Sequence, residues 1–391
     1  MSTKPICWVP YHAVELHPHG YVSPCCKISF QDNTSPYKFD ISKFYSEESK
    51  QWRTEKFEHG SLQDLCRQCK VPSGVFSYQK MNEKIYKDNW KFPEPTSENA
   101  SIRKLILGTD NICASSCISC HPKSSTTINN LIDKSANLEI LNKFYDNSLP
   151  GLVQVDLDQL DNNIYDLEVI HFYGGEPLFS PNFIKLLEKL KKYAPKLSAI
   201  TMSSGLCKIK EGHVDYLAEM PVKTNRITVS VDGPPELNHW IRDVSPDEFN
   251  KNINLIANKK DKIVLTGAQT TIGIYNVFAL PEFVDFFCKT FTRTLTSELN
   301  PHIVSAVVTT PAELHPKQLP DDIKKQTFKK LKNFIQTSKH HVRHLEIIKT
   351  AIFALEQPAT LPWDRCLERL ELYPKLRGSS ETFDYWIKKY L

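Results

Sequence analysis

The chain has 391 residues, of which 40% are apolar and 24% charged, with a formal net charge of +4. So small an excess over this length argues against nucleic acid or an anionic membrane as partner, and no apolar run approaches the roughly 20 residues a membrane helix needs. At about 150 residues per domain, the length allows two or three domains.

The N-terminus lacks the apolar stretch of a secretion signal. The 11 cysteines are bunched rather than spread. Clustered Cys-x-x-Cys spacings in such a chain favour metal over disulfides, so a reducing, intracellular (cytoplasmic) setting is expected.

Residues 1–100 read as a loop-rich, cysteine-rich domain holding Cys7, Cys25, Cys26, Cys66 and Cys69. The Pro-rich polar segment Phe92–Asn99 marks its end. Gly20 suits a tight hairpin turn that would bring Cys7 and Cys25 together. The histidines between them, His12, His17 and His19, read as solvated loop residues.

From Ile102 onward, short β-branched runs alternate with helical periods. Strands are predicted at 102–107, 167–173, 199–202, 226–231, 263–274 and 303–309, with helices from Pro181 to Tyr193 and from about Leu280. That alternation implies parallel strands joined by right-handed crossovers. Six such units over 101–312 make a partial (β/α)6 barrel of TIM type. Residues 313–391 read as a C-terminal helical extension, with helices at 324–335 and 344–355 and a break at Pro358 and Pro362. Cys207, Cys288 and Cys366 stand alone and read as buried small apolar residues, with a redox role open for Cys207.

The chemistry is concentrated after the first two barrel strands. Cys113-x-x-x-Cys117-x-x-Cys120 follows the first one. Three thiolates at this spacing can hold three corners of a four-iron, four-sulfur cube and leave the fourth iron open to a small molecule. Zinc held with His121 as a fourth ligand is the alternative. Gly174-Gly175-Glu176-Pro177 follows the second strand; its glycines allow close backbone approach and its carboxylate can meet an amine.

Together these two motifs resemble the radical S-adenosylmethionine (SAM) superfamily. The resemblance implies that Cys113, Cys117 and Cys120 ligate a [4Fe-4S] cluster. It also implies that Gly174, Gly175, Glu176 and Pro177 hold the SAM amino group. An electron from the cluster would cleave SAM to methionine and a 5′-deoxyadenosyl radical, which removes hydrogen from a substrate. Ser204 after the third strand, and Ser230, Asp232 and Arg242 after the fourth, look like further SAM contacts of the family. An arginine fork suits the methionyl carboxylate. Asn276 is placed to line the same site or to shape a turn. Ser119 stands where the family usually carries an aromatic residue, and Phe172 or Tyr173 is the nearest substitute. The N-terminal cysteines look like a twitch (SPASM-like) auxiliary-cluster module with Cys7, Cys25, Cys66 and Cys69 as ligands; structural zinc is the alternative. By family analogy the substrate is a peptide or protein side chain, and the electron comes from a reductant such as flavodoxin or ferredoxin. A non-catalytic zinc or iron–sulfur module on an inactive barrel is the rival reading.

Overall fold

The structure is a computed structural model that describes residues 7–18, 20–25, 36, 40–58, 85–134, 143–144, 155–291 and 302–391. Among these residues the frame is one sheet of eight strands: β1 Ala13–Leu16, β2 Val22–Ser23, β3 Lys104–Gly108, β4 Val169–Tyr173, β5 Ala199–Ser204, β6 Thr224–Ser230, β7 Ile263–Ile272 and β8 His302–Val307. The order is β2-β1-β3-β4-β5-β6-β7-β8, and every neighbouring pair except β1–β2 is parallel. Strands β3 to β8 are the six the sequence predicts. The addition is β1, which lies before residue 100 and pairs in register with the first barrel strand, Leu16 opposite Leu107. All four of its residues are buried, so it carries no period-2 alternation, which is why this strand is silent in the sequence.

The helices in chain order are α1 Val9–His12, α2 Glu47–Arg53, α3 Thr126–Lys134, α4 Phe183–Tyr193, α5 Glu211–Ala218, α6 Pro235–Arg242, α7 Pro246–Ala257, α8 Leu280–Phe291, α9 Asp321–Thr337, α10 Val342–Leu355, α11 Trp363–Leu376 and α12 Phe383–Tyr390. In α4 the apolar residues Phe183, Leu186, Leu187 and Leu190 recur at helical spacing and are fully buried. Each such burial contributes about 1.5–3 kcal/mol. They share one apolar cluster with Ile170, Phe172, Ile200, Met202, Ile227 and Val229 of the strands. Phe172 meets Phe183 edge to face, with ring centroids 5.5 Å apart.

The alternate strand positions are polar and pair across the sheet. His171 Nδ1 lies 2.9 Å from Thr201 Oγ1, Thr228 Oγ1 lies 2.9 Å from Thr266 Oγ1, and Ser203 donates to Gln269 at 3.0 Å. A strand that buries apolar residues on one face only reads as alternating, which β6 does along its whole length.

The hairpin at Gly20 forms as expected: this residue takes φ +75° between β1 and the antiparallel β2. Cys7 and Cys25 both border a small apolar cluster with Trp8, Ala13, Tyr86 and Phe92. Cys66, Cys69, Cys26 and His19 lie outside the described residues. His12 is not a solvated loop residue, whereas His17 is a half-buried one. His12 is fully buried, with Nε2 3.0 Å from the Pro93 carbonyl, and His17 packs against Tyr21 and Tyr173. The C-terminal segment is helical as predicted; α10 ends at Leu355 and α11 begins after Pro362. Helix α10 packs over the edge strand β8. No helix among the described residues is long and apolar enough to cross a membrane.

Candidate active site

The motif residues converge at the C-terminal ends of β3, β4, β5 and β6, the end of a parallel α/β sheet where ligands are held. They line a cavity of about 360 Å³ whose wall includes Cys113, Cys117, Cys120, Gly174, Gly175, Glu176, Ser230 and Arg242, together with Tyr173 and Cys207. Ser204 and Asp232 lie just behind that wall, each fully buried, and Pro177 is buried in the turn after Glu176.

The cysteine loop is held from below. Ser180 Oγ donates to Asp110, whose other oxygen accepts the Ile112 N–H at 2.9 Å. Gly174 and Gly175 take φ of +78° and +26°. A Cβ on Gly175 would overlap the Ile112 carbonyl oxygen, and one on Gly174 would sit 3.0 Å from the Asp110 carbonyl oxygen. The Glu176 N–H closes the contact by donating to Ile112 O at 2.8 Å. The paired glycines therefore let the β4 loop seat directly on the backbone of the cysteine loop.

Glu176 is buried and accepts from Ser204 Oγ at 2.7 Å, the Gly205 N–H at 2.9 Å and the Leu178 N–H at 3.4 Å. Burial raises its pKa well above the ordinary carboxyl range, and these hydrogen bonds oppose the rise. A cationic group entering the cavity would restore its charge.

Arg242 Nε donates to Asp232 Oδ2 at 2.7 Å, and its Nη1 lies 3.8 Å from Cys117 Sγ. Asp232 also accepts the Thr271 N–H at 2.8 Å. Asn276 does not face the cavity; its amide donates to the Asp232 and Thr271 carbonyls at 2.8 and 2.9 Å and serves the turn.

Burial raises the thiol pKa of Cys117 to about 12, against the pull of Arg242, and also raises that of Cys120. A cationic metal would reverse that preference, since thiolates are the ligating form. The donor set fits an iron–sulfur cluster: three cysteines on one cavity wall, one of them beside a guanidinium. His121 is not among the residues lining the cavity; its Nδ1 accepts the Lys123 N–H and caps a short turn.

Three further residues flank the motifs; the sequence left Cys207 and Tyr173 open and gave no sign of Tyr275. Cys207 shares a hydrogen bond with Cys113 and has its Sγ 3.7 Å from Glu176 Oε2, so it belongs to the cavity wall rather than to inert packing. Tyr275 is fully buried and hydrogen-bonds Ser119, which brings an aromatic ring beside the position where the motif lacks one. Tyr173 lines the cavity and its hydroxyl lies 3.1 Å from His17 Nδ1, whereas Phe172 is wholly in the core.

Residues 109–287 match the family model described as Radical SAM superfamily. This span is a Radical SAM superfamily domain. It runs from the residue after β3 into α8 and takes in every cavity residue named above. It covers a little under half of the chain. No curated protein matches the sequence. Among solved structures, native anSMEcpe with bound AdoMet is similar at 16% identity and a TM-score of 0.39, covering 60% of each chain. Streptococcus suis SuiB bound to S-adenosylmethionine is similar at 14% identity and a TM-score of 0.32, over 68% of this chain and 51% of that one. Coproporphyrinogen III oxidase (HemN) from Escherichia coli, a Radical SAM enzyme, is similar at 14% identity and a TM-score of 0.36, over 65% of this chain and 52% of that one. The chain spans between 51% and 60% of the length of these three. At such scores the functional reading rests on the family match and the cavity.

Proposed function

We propose that the protein is a radical SAM enzyme. The observation that carries this reading is the meeting, in one cavity, of three cysteines with the glycine–glycine–glutamate turn, inside a domain of that superfamily. When bound, a [4Fe-4S] cluster and SAM would supply reductive cleavage of a carbon–sulfur bond and a primary carbon radical able to take hydrogen from a substrate.

The chain's own residues then have distinct tasks. Cys113, Cys117 and Cys120 would hold the cluster and leave one iron without a protein ligand. Glu176, fixed by Ser204 and Gly205, would receive the ammonium group of SAM. Arg242, anchored by Asp232, would present its remaining N–H groups to the methionyl carboxylate. Ser230 and Tyr173 face the cavity and would border the substrate or the nucleoside. The surrounding wall would exclude water from a reactive carbon centre.

The finer parts of the reading are proposals as well. A second cluster on Cys7, Cys25, Cys66 and Cys69 is supported by Cys7 and Cys25 bordering one buried cluster across the Gly20 hairpin. A peptide or protein substrate and a flavodoxin or ferredoxin reductant are carried by family analogy alone.

The test is SAM binding read at the metal. After anaerobic reconstitution and reduction, electron paramagnetic resonance of the cluster should change when SAM is added, and Glu176→Gln should weaken that response. A reduced cluster whose spectrum ignores SAM would contradict the proposal.

A further inference from the structure

The C-terminal helix α11 lies outside the span matched by the family, yet with its C-cap residue Arg377 it touches the cysteine loop at three points. Arg369 Nη2 donates to the Ile118 carbonyl at 3.0 Å, Tyr373 Oη donates to the Cys120 carbonyl at 3.4 Å, and Arg377 Nη1 donates to the Ser116 carbonyl at 3.2 Å. The three donors are spaced four residues apart, so they fall along one helix face. The three acceptors are every second residue of the loop. One face of α11 therefore holds three alternate carbonyls of the loop.

The contacts are buried or half-buried and cross-braced. Arg369 and Tyr373 are fully buried, with the guanidinium carbon 4.9 Å over the Tyr373 ring. Tyr373 and Leu372 pack with Ile128 and Ile132 of α3, and Cys120 borders that cluster. Arg377 also bonds Ser116 Oγ at 3.2 Å and the Trp240 carbonyl, while Ser116 Oγ donates to Asp243 Oδ2 at 2.8 Å. From the other side, the Ile118 N–H donates to the Ile241 carbonyl at 2.8 Å.

The charges matter as much as the bonds. Two guanidinium groups sit on the backbone of the cysteine loop itself, Arg369 at the Ile118 carbonyl between Cys117 and Cys120 and Arg377 at the Ser116 carbonyl next to Cys117. A cluster with three thiolates is anionic and gains a further negative charge on reduction. Cations held this close favour the reduced form.

We propose that Arg369, Tyr373 and Arg377 are positioning residues of the cluster site: α11 and its C-cap fix the cysteine loop, and Arg369 and Arg377 raise the cluster's reduction potential. This rests on the iron–sulfur reading above.

The test uses the full chain, reconstituted anaerobically and titrated by redox potentiometry. Arg377→Gln and Arg369→Gln should each make the cluster about tenfold harder to reduce, a fall of about 59 mV for a one-electron couple. Arg377→Lys should recover most of that loss, because the charge returns. Lys389→Gln, an exposed change on α12 paired with Glu236, should leave the potential unmoved. Circular dichroism identifies any variant that fails to fold; Arg377, only half-buried, is the safer of the two. A folded Arg377→Gln protein with wild-type iron content and an unshifted potential would overturn the inference. A wild-type protein that forms no cubane cluster would instead sink the reading beneath it.

Discussion

Arg242 bridges Asp232 and Cys117: its Nε is 2.7 Å from the buried carboxylate and its Nη1 is 3.8 Å from the thiol sulfur. The arginine thus carries the strand β6 loop to the cysteine loop. Removing it leaves Asp232 buried with backbone donors only. Arg242→Gln should cost about 3–5 kcal/mol, the usual penalty for breaking a buried pair from one side. Asp232→Asn should cost less, because the amide keeps a hydrogen-bonding shape. Urea denaturation of both variants gives the comparison.

Gly175 is the tightest point beneath the cluster loop. Gly175→Ala combines a positive φ with overlap on the Ile112 carbonyl. The strain should destabilise the fold by about 3 kcal/mol or more. It should also lower iron uptake, since the displaced strand of chain carries Cys113. Gly212, which has open space around it, is the matched control: Gly212→Ala should be neutral or slightly stabilising. Thermal melts and iron content measure both effects.

His12 and His171 give the fold a pH dependence. Burial lowers both pKa values from the ordinary 6.5 to about 4. The unfolded chain therefore binds more protons than the folded one between pH 4 and 6.5, and stability falls as pH drops through that window. Above pH 6.5 the contribution is complete; it is on the order of 3 kcal/mol for each histidine. His171→Asn retains a partner for Thr201 and removes one titration. Its stability curve from pH 7 to 4.5 should be flatter than that of the wild type, which denaturant titrations would show.

Cys207 can be separated from the ligating cysteines. Cys207→Ala should keep the iron of the main cluster, because Cys113, Cys117 and Cys120 remain, whereas Cys113→Ala should lose it. Iron and sulfide assays on the two variants check this. Equal loss in both would promote Cys207 to a ligand.

Much of the site was legible because its signals are local. Cys113 to Cys120 and Gly174 to Pro177 are contiguous motifs, each placed just after a strand by its apolar run. The helix breaks at Pro358 and Pro362 were equally local. What could not be read was the meeting of distant segments. Arg369, Tyr373 and Arg377 look like a polar stripe of an amphipathic helix, and nothing in their spacing names the loop some 250 residues earlier that they grip. Tyr275 reaches Ser119 from about 150 residues away, and β1, buried along its whole length, joins the sheet through backbone pairing that no alternation announces. Asn276 was readable only as either a wall or a turn residue; its bonds to the Asp232 and Thr271 carbonyls make it the latter.

The central claim is tested most directly by product formation. Anaerobically reconstituted protein, reduced and supplied with SAM, should release 5′-deoxyadenosine. The Cys113→Ala/Cys117→Ala/Cys120→Ala protein should release none and lack about four irons per chain relative to wild type. Absence of 5′-deoxyadenosine from fully loaded wild type, or undiminished iron in the triple variant, would contradict it.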